Sequence, residues 1–408
     1  MVVNNYRKGD YAPYLFKTKD YGKQWSRIID TNDVKGYALS FVQDPVEKNL
    51  LFLGTEHGLW ISINEGRDWT PFKNGFPRVS TMDLVIQEKE SALVVGTFGR
   101  AIWILDDLLS LRALVSNPSM QKITALPMNE AVQVKGLFIN PPGNIWSGFN
   151  TTFEGENKVF QKIEMPFFLK ASPSEMDSIT ARIYNEKGEV LKTVVRHDLK
   201  KGLNYLIWKL DEEKANLPGA WIHEDSRGIP VLPGVYTVKF RYQDETSEQT
   251  LKVVADPRFD LDQEVDKKLH VYQKAIDRQV KLLSGLLVKL DSWEKQINST
   301  LDRLSNSTQP NKSEVLKINQ LKEELLLLKL MGRDKPVDRQ VGAWQSSKIT
   351  PYSATNEALK ASVSRLMIPS KQDWDRIEVA KNLILSFEKK INQFEKKKWA
   401  RYFKAYGK

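Results

Sequence analysis

The strongest constraint on the fold is a turn that the chain writes twice. The stretch "TKDYGKQW", Thr18 to Trp25, returns as "SINEGRDW", Ser62 to Trp69, 44 positions on (62 − 18). Aligning "LFKTKDYGKQWSRI" with "LWISINEGRDWTPF" matches Leu15 to Leu59, Phe16 to Trp60, Thr18 to Ser62 and Asp20 to Asn64. Gly22 matches Gly66, and Trp25 matches Trp69. A third, partial copy follows, since "GTEHGLWI" (Gly54–Ile61) is echoed by "GTFGRAIWI" (Gly96–Ile104). A period of about 40–45 residues with several short strands per unit is the signature of β-propeller blades. Alternating strands such as "NLLFLGT" and "SALVVGT" flank the turns.

The chemistry of the turn explains its residues. The side chain of Asp20 or Asn64 is short enough to accept hydrogen bonds from turn N–H groups. Gly22 and Gly66 supply the positive φ that such a turn requires. Trp25 and Trp69 are expected to fold back and fill the space between neighbouring sheets.

The motif resembles the Asp-box, Ser/Thr-x-Asp-x-Gly-x-x-Trp, of bacterial-neuraminidase-type repeats. Thr18, Asp20, Gly22 and Trp25 fit it, as do Ser62, Gly66 and Trp69, with Asn64 in the Asp place. The Ser/Thr often found before the Trp is absent, because Gln24 and Asp68 stand there. The resemblance implies a structural hairpin on the outside of a blade, not a catalytic element. The phrases "YAPYLFKTKDYGKQW", "LLFLGTEHGLWISINEGRDW" and "LVVGTFGRAIWILDDLLSLR" resemble the closing blades of large exported bacterial proteins with a sortilin-like propeller. Such proteins are often labelled glycosyl-hydrolase-like. The resemblance implies an extracytoplasmic location, although "MVVNNYRKGD" does not read as an export signal.

Residues 1–112 are therefore expected to form about two and a half blades, where a closed propeller takes about four to eight. Open blades expose apolar faces and strand edges. The expectation is that upstream blades exist, either in a longer protein of which this chain is the C-terminal part, or on a partner chain.

Residues 113–155 include "INPPGNIWSGFNTTFEGEN" and read as an irregular linker. Residues 156–258 carry period-2 strands. Ile179, Ala181 and Ile183 share one face, "NEKG" makes a hairpin, and Tyr236, Val238, Phe240 and Tyr242 share another face. The run resembles a small immunoglobulin-like sandwich of the flagellar-hook-cap type, which implies a spacer or docking module. Residues 259–408 change to a helical period. Val265, Leu269, Tyr272, Ile276, Val280, Leu283, Leu287, Leu290, Ile297, Leu301 and Leu304 form one stripe. "SNSTQPN" is a turn, with Asn311 and Glu314 placed to cap a helix that carries Val315, Ile318, Leu325 and Leu328. After a polar loop, the last helix runs through Trp374, Ile377, Leu383, Ile384, Phe387, Ile391 and Phe394, giving a helical hairpin or bundle. The basic end, with Trp399, Tyr402, Phe403 and Tyr406, is expected to fray.

Composition bounds the function. The chain has 408 residues and no cysteine, which excludes disulfides and thiolate chemistry. No run of about 18 apolar residues is present to span a bilayer. The formal charge of +10 gathers partly in the basic end and reads as a solvated helix face, so no nucleic-acid partner is expected. His57, His197, His223 and His270 fall in different segments and none pairs at metal-ligand spacing. No cofactor or metal is expected.

Glycoside hydrolysis needs two carboxylates flanking the bond. Glu56, Asp83, Asp106 and Asp107 are the candidates near blade ends, but their spacing along the chain does not pair them. Asp106 and Asp107 fit a cap better. The loops "GTEHG" and "GTFGR" occupy equivalent places in successive blades, so Glu56, His57, Phe98 and Arg100 are candidate ligand-facing residues. No catalytic residue is assigned. The expected function is a non-catalytic propeller-type binding or scaffold protein whose ligand is a peptide, a protein or a glycan. A glycoside hydrolase of the neuraminidase-repeat type is the alternative that the resemblance raises.

Overall fold

A computed structural model describes residues 1–73, 75–117, 119–133, 163–217, 228–257, 263–306, 312–333, 349–363 and 368–406. It shows mixed β-sheets and a C-terminal helical region. The chain forms two compact units, Met1–Leu210 with Pro233–Asp256, and Asp211–Leu232 with Pro257–Lys408.

The first unit begins with three antiparallel sheets, each built from strands consecutive in the chain. Sheet I holds β1 (Val2–Asn5), β2 (Asp10–Lys17) and β3 (Ser26–Arg27). Sheet II holds β4 (Ala38–Gln43), β5 (Leu51–Thr55), β6 (Gly58–Ser62) and β7 (Thr70–Pro71). Sheet III holds β8 (Thr81–Gln87), β9 (Ala92–Thr97) and β10 (Ile102–Leu105).

Every residue of β5 is buried, because both faces of sheet II are covered. On its back, Leu51, Leu53, Trp60 and Trp69 share a core with Leu15 and Ile29. On its front, Phe52 and Leu59 share a core with Leu84, Leu93 and Val95. A strand buried on both faces reads as a continuous apolar run, which "LLFLG" is. The register of sheets II and III also repeats, down to a bulge between Ala38 and Ser40 and another between Thr81 and Asp83.

Helix α1 (Leu108–Ser116) follows β10, and Asp107 caps it by accepting from Ser110 N at 2.9 Å. Leu108 is buried in the core between sheets II and III. One turn on, the Arg112 guanidinium donates to both carboxylate oxygens of Asp44 at 2.9–3.0 Å and to Ser91 Oγ at 3.0 Å. Asp44 also accepts from Val46 N and Glu47 N at 2.9 and 2.7 Å. One arginine thus ties the β4–β5 turn to the β8–β9 turn.

Residues expected to be linker contribute structure here. β11 (Ile123–Ala125) and β12 (Ala131–Gln133) precede β13 (Ile163–Leu169), β14 (Ile179–Tyr184), β15 (Val190–Arg196) and β16 (Gly202–Trp208). Each of β11 and β12 is three residues long, too short for alternation to show, and each is recruited by a long-range partner. β11 pairs antiparallel with β13, and β12 pairs parallel with the last strand of the unit. The rest of the expected linker, 134–155, lies outside the described residues, as do positions 156–162.

β17 (Asp211–Glu212) and β18 (Ile229–Pro230) precede β19 (Gly234–Tyr242) and β20 (Glu245–Ala255). One sheet runs β11-β13-β16 and another runs β12-β20-β19-β14-β15. Their facing sides touch through Phe167 and Phe240, with ring centroids 5.5 Å apart, and through Trp208 and Tyr236, also at 5.5 Å. Ile179, Ala181 and Ile183 are fully buried, as the alternation requires. The "NEKG" hairpin joins β14 to β15, with Asn185 Oδ1 accepting from Lys187 N and Glu189 N at 3.0 and 2.9 Å.

The second unit is helical: α2 (Gln263–Ser305), α3 (Lys312–Gly332), α4 (Pro351–Val363), α5 (Lys371–Phe394), a π-helical turn Glu395–Trp399, and α6 (Ala400–Tyr406). Tyr272, Ile276, Val280, Leu283, Leu287, Leu290 and Ile297 of the α2 stripe line its core. The "SNSTQPN" turn from Ser307 on and the Asn311 cap lie outside the described residues, whereas Ser370 and Asp373 form a capping box on α5.

α4 stands in the stretch expected to be a polar loop, because Ala358 of that stretch enters the helical core, and two further findings differ from expectation. Asp211–Leu232, expected within the sandwich, groups with the helices. Leu217 enters their core, Ala215 N donates to Asp277 Oδ1 at 2.8 Å, and Glu212 meets His270 Nε2 at 2.6 Å and Lys274 Nζ at 2.5 Å. Burial works against the Glu212 charge, but the hydrogen bonds from His270 and Lys274 outweigh it and hold the carboxyl below its ordinary range. Nor does the basic end fray as a whole. Trp399 and Tyr402 are buried, Trp399 stacks on Trp293 at 4.8 Å, and Tyr402 shares a 2.8 Å hydrogen bond with Thr300. Phe403 alone of the four is an exposed apolar side chain.

Candidate functional site

The two box turns form nearly the same set of bonds. In the first, the Thr18 hydroxyl donates to Asp20 Oδ1 at 2.9 Å and accepts from Gly22 N at 2.8 Å. Asp20 Oδ1 also accepts from Gln24 N at 2.9 Å. Trp25 Nε1 donates to Gly22 O at 3.1 Å. In the second, Ser62 Oγ donates to Asn64 Oδ1 at 3.1 Å and accepts from Gly66 N at 2.9 Å. Asn64 Oδ1 accepts from Asp68 N at 2.9 Å, and Trp69 Nε1 donates to Gly66 O at 3.1 Å.

Asn replaces Asp here because one oxygen does the work. Its spare Nδ2 donates to Asp68 Oδ2 at 2.7 Å. Gly22 and Gly66 adopt φ of 93° and 86°, the left-handed region. The amide of Gln24 and then the hydroxyl of Thr18 hold the Asp20 carboxyl below its ordinary range. These polar atoms are engaged within their own turns, so the boxes act as structural closures.

The tryptophans differ. Trp69 is 9% exposed and packs with Leu15 and Ile29, whereas Trp25 is 46% exposed. Trp25 therefore departs from the expected burial. It belongs to sheet I, and no described sheet covers that outer side.

The loop residues gather at the other end of the sheets. β6 leaves the Glu56–His57 turn and ends at the second box five residues later, roughly 16 Å away at 3.3 Å per residue. Glu56 and Phe98 are brought together around Ser80, whose hydroxyl donates to Glu56 O at 3.1 Å and whose carbonyl accepts from Phe98 N at 2.9 Å. His57 lies exposed beside Gly36. Phe98 is 76% exposed, and Arg100 is exposed next to it.

Three tyrosines join this edge. Tyr6 stacks on Tyr37 at 4.7 Å, and Tyr11 tilts against Tyr37 at 6.1 Å. Glu56 N donates to Tyr37 O at 3.2 Å. Arg7 lies 5.9 Å from the Tyr6 ring centre. Burial, then the charge of Glu56 and the neighbouring phenols, push the Tyr37 hydroxyl up. Tyr6 and Tyr11 flank the single β1–β2 reversal, Tyr11 already within β2, whereas Tyr37 immediately precedes β4, and no sequence spacing links Tyr37 to the other two. The only available signal was the density of aromatics near chain reversals.

Of the carboxylates considered for hydrolysis, Glu56 lies on this edge and Asp83 stands opposite Gly96 near the same end of sheet III, whereas Asp106 and Asp107 lie elsewhere. Asp107 caps α1, and Asp83 Oδ1 accepts from the adjacent Leu84 N. Asp106 follows the end of β10, at the far end of sheet III from Phe98. Among the described residues, no group of His, Asp or Glu is placed to hold a metal ion, and no helix is long and apolar enough to cross a membrane. His223 lies outside the described residues. The edge therefore presents flat aromatic faces with carboxylate, imidazole and guanidinium groups beside them. No family model matches the chain, and no curated protein matches it in sequence.

Proposed function

We propose that this protein is a non-catalytic binding or scaffold protein of the propeller type. Sheets I to III are consecutive blades of a propeller, whose ring is completed by further polypeptide. The paired sheets β11-β13-β16 and β12-β20-β19-β14-β15 are an immunoglobulin-like sandwich, and the helices form a bundle that spaces or docks the blades. The ligand is a peptide, a protein or a glycan, met at an extracytoplasmic location.

The observation that carries this reading is the loop edge. It collects Tyr6, Tyr11, Tyr37 and Phe98 beside Glu56 and His57. Aromatic faces with a few polar groups suit recognition. Asp106 and Asp107 stand away from Glu56 and the Asp83 carboxylate accepts from its own neighbour Leu84 N, which favours a binding surface over the carboxylate pair that glycoside hydrolysis uses.

The test is binding of the purified chain to glycan and peptide arrays, with hydrolysis followed in parallel. Saturable binding that falls at least about tenfold in Tyr11→Ala with Tyr37→Ala is the expected result. Glycan turnover at about 1–1,000 s⁻¹ that disappears in Glu56→Gln would replace this reading with the hydrolase.

A further inference from the structure

The shared register gives each position of sheet II a counterpart in sheet III. Val42, Phe52, Leu59 and Ile61 correspond to Val85, Val94, Ile102 and Ile104. In sheet II, Phe52 and Leu59 are buried against sheet III, with Val42 and Ile61 packed beside them. In sheet III, Val85, Ile102 and Ile104 are 55%, 71% and 60% exposed.

The glycines repeat this contrast. A Cβ on Gly54 would lie 2.5 Å from Thr81 O in the next sheet. Gly96 is its counterpart, and the nearest atoms to a Cβ there belong to Asp83, its own strand partner, at 3.5 Å or more. Sheet III thus has the same clearance for a close neighbour as sheet II, with open space in front of it.

The opposite end of the stack is complementary. Trp60 and Trp69 on the back of sheet II are buried, but their counterparts on sheet I are Phe16, half-buried, and the exposed Trp25. One contact shows how a front meets a back. Lys17 on sheet I pairs with Glu65 in the box turn of sheet II at 2.6 Å. By the repeat, Lys17 corresponds to Ile104 on the open front, and Glu65 corresponds to Tyr21 on the open back. Both substitutions are apolar for charged, and Tyr21 is fully exposed.

We propose that the open front of sheet III receives the open back of sheet I from a second copy of this chain, and the reverse. Two copies then close one ring of twice three sheets. The inference rests on reading the sheets as propeller blades. Three sheets fall short of the about four to eight that close a propeller, and twice three fall within that range. A head-to-tail contact closes into a ring when its rotation fits, and one chain carries both halves of the contact. Ile104 facing Tyr21 replaces the Lys17–Glu65 contact with an apolar one, so each unmatched surface suits the other.

The experiment is sedimentation and light scattering of the full chain from about 1 to 100 µM, a range that registers a micromolar dissociation constant. The expected mass is twice the 46.9 kDa of one chain. Ile104→Lys and Tyr21→Glu, both at exposed positions, are each expected to weaken the pair at least about tenfold. The double variant, which recreates the Lys17–Glu65 pairing across the interface, is expected to restore it. A monomer throughout, an open-ended polymer, a dimer that neither variant weakens, or a double variant that fails to recover overturns the proposal. Hydrogen exchange separates this from the blade reading. Slow exchange in β5 of a monomeric protein leaves the stacked sheets standing and removes only the pairing, whereas fast exchange there removes both.

Discussion

Replacing Arg112 with alanine should loosen the stack of sheets more than any exposed change in it. The Asp44 side chain is fully buried and that of Arg112 is 10% exposed. Breaking such a pair leaves an uncompensated buried charge and costs about 3–5 kcal/mol. Arg112→Ala leaves Asp44 with the two backbone donors of Val46 and Glu47, which places it near about 3 kcal/mol. Asp44→Ala removes those caps too and strands a buried guanidinium, which places it near about 5 kcal/mol. At about 2–4 °C per kcal/mol for a unit of this size, the melting transition should fall by roughly 6–20 °C. Arg112→Lys keeps the charge but loses the fork that engages both Asp44 oxygens and Ser91, so it should fall between wild type and alanine. Calorimetry reads the shift, and the double variant completes the cycle. A shift under about 2 °C in Arg112→Ala would refute the clamp. So would a double variant whose loss equals the sum of the two singles, because partners in one buried pair must couple.

Three further outcomes are expected. Gly54→Ala should destabilise by about 1–3 kcal/mol or more, since its methyl would meet Ser40 Oγ and Thr81 O, and equal urea midpoints for Gly54→Ala and wild type would contradict the close sheet approach. Glu212, depressed below its ordinary 4.5, should stabilise the helical unit above about pH 4.5 and lose that contribution as pH falls through its lower folded value. The melting advantage of wild type over Glu212→Gln should therefore shrink between pH 5 and 3, and an advantage that persists undiminished at pH 3 would argue against the His270–Lys274 contacts. Trp399→Ala should cost about 3–5 kcal/mol by emptying the pocket against Trp293 and Tyr402, and a loss below about 1 kcal/mol would mean that this end is loose in solution.

Patterns that close within a few residues were legible without coordinates. The box turns could be written down from "TKDYGKQW" and "SINEGRDW", because Thr18, Asp20 and Gly22 bond to one another within a single turn. The buried face of β14 and the α2 stripe were legible for a similar reason, since periods of 2 and about 3.5 set which side chains share a side. Tertiary structure decided what each side meets. Trp25 and Trp69 have the same local bonds, yet only Trp69 has a neighbouring sheet over it. Asp44 and Arg112 lie 68 positions apart, and nothing in either neighbourhood announces the pair. Tyr37 joins Tyr6 and Tyr11 in one edge only because the β1–β2 reversal of sheet I and the segment entering β4 of sheet II meet at the same end of the two sheets. Trp399 and Tyr402, in a basic segment that reads as solvated, are drawn inward by Trp293 and Thr300 of α2. Local hydrogen-bond geometry is encoded residue by residue, whereas the identity of a buried neighbour depends on how separate faces stack.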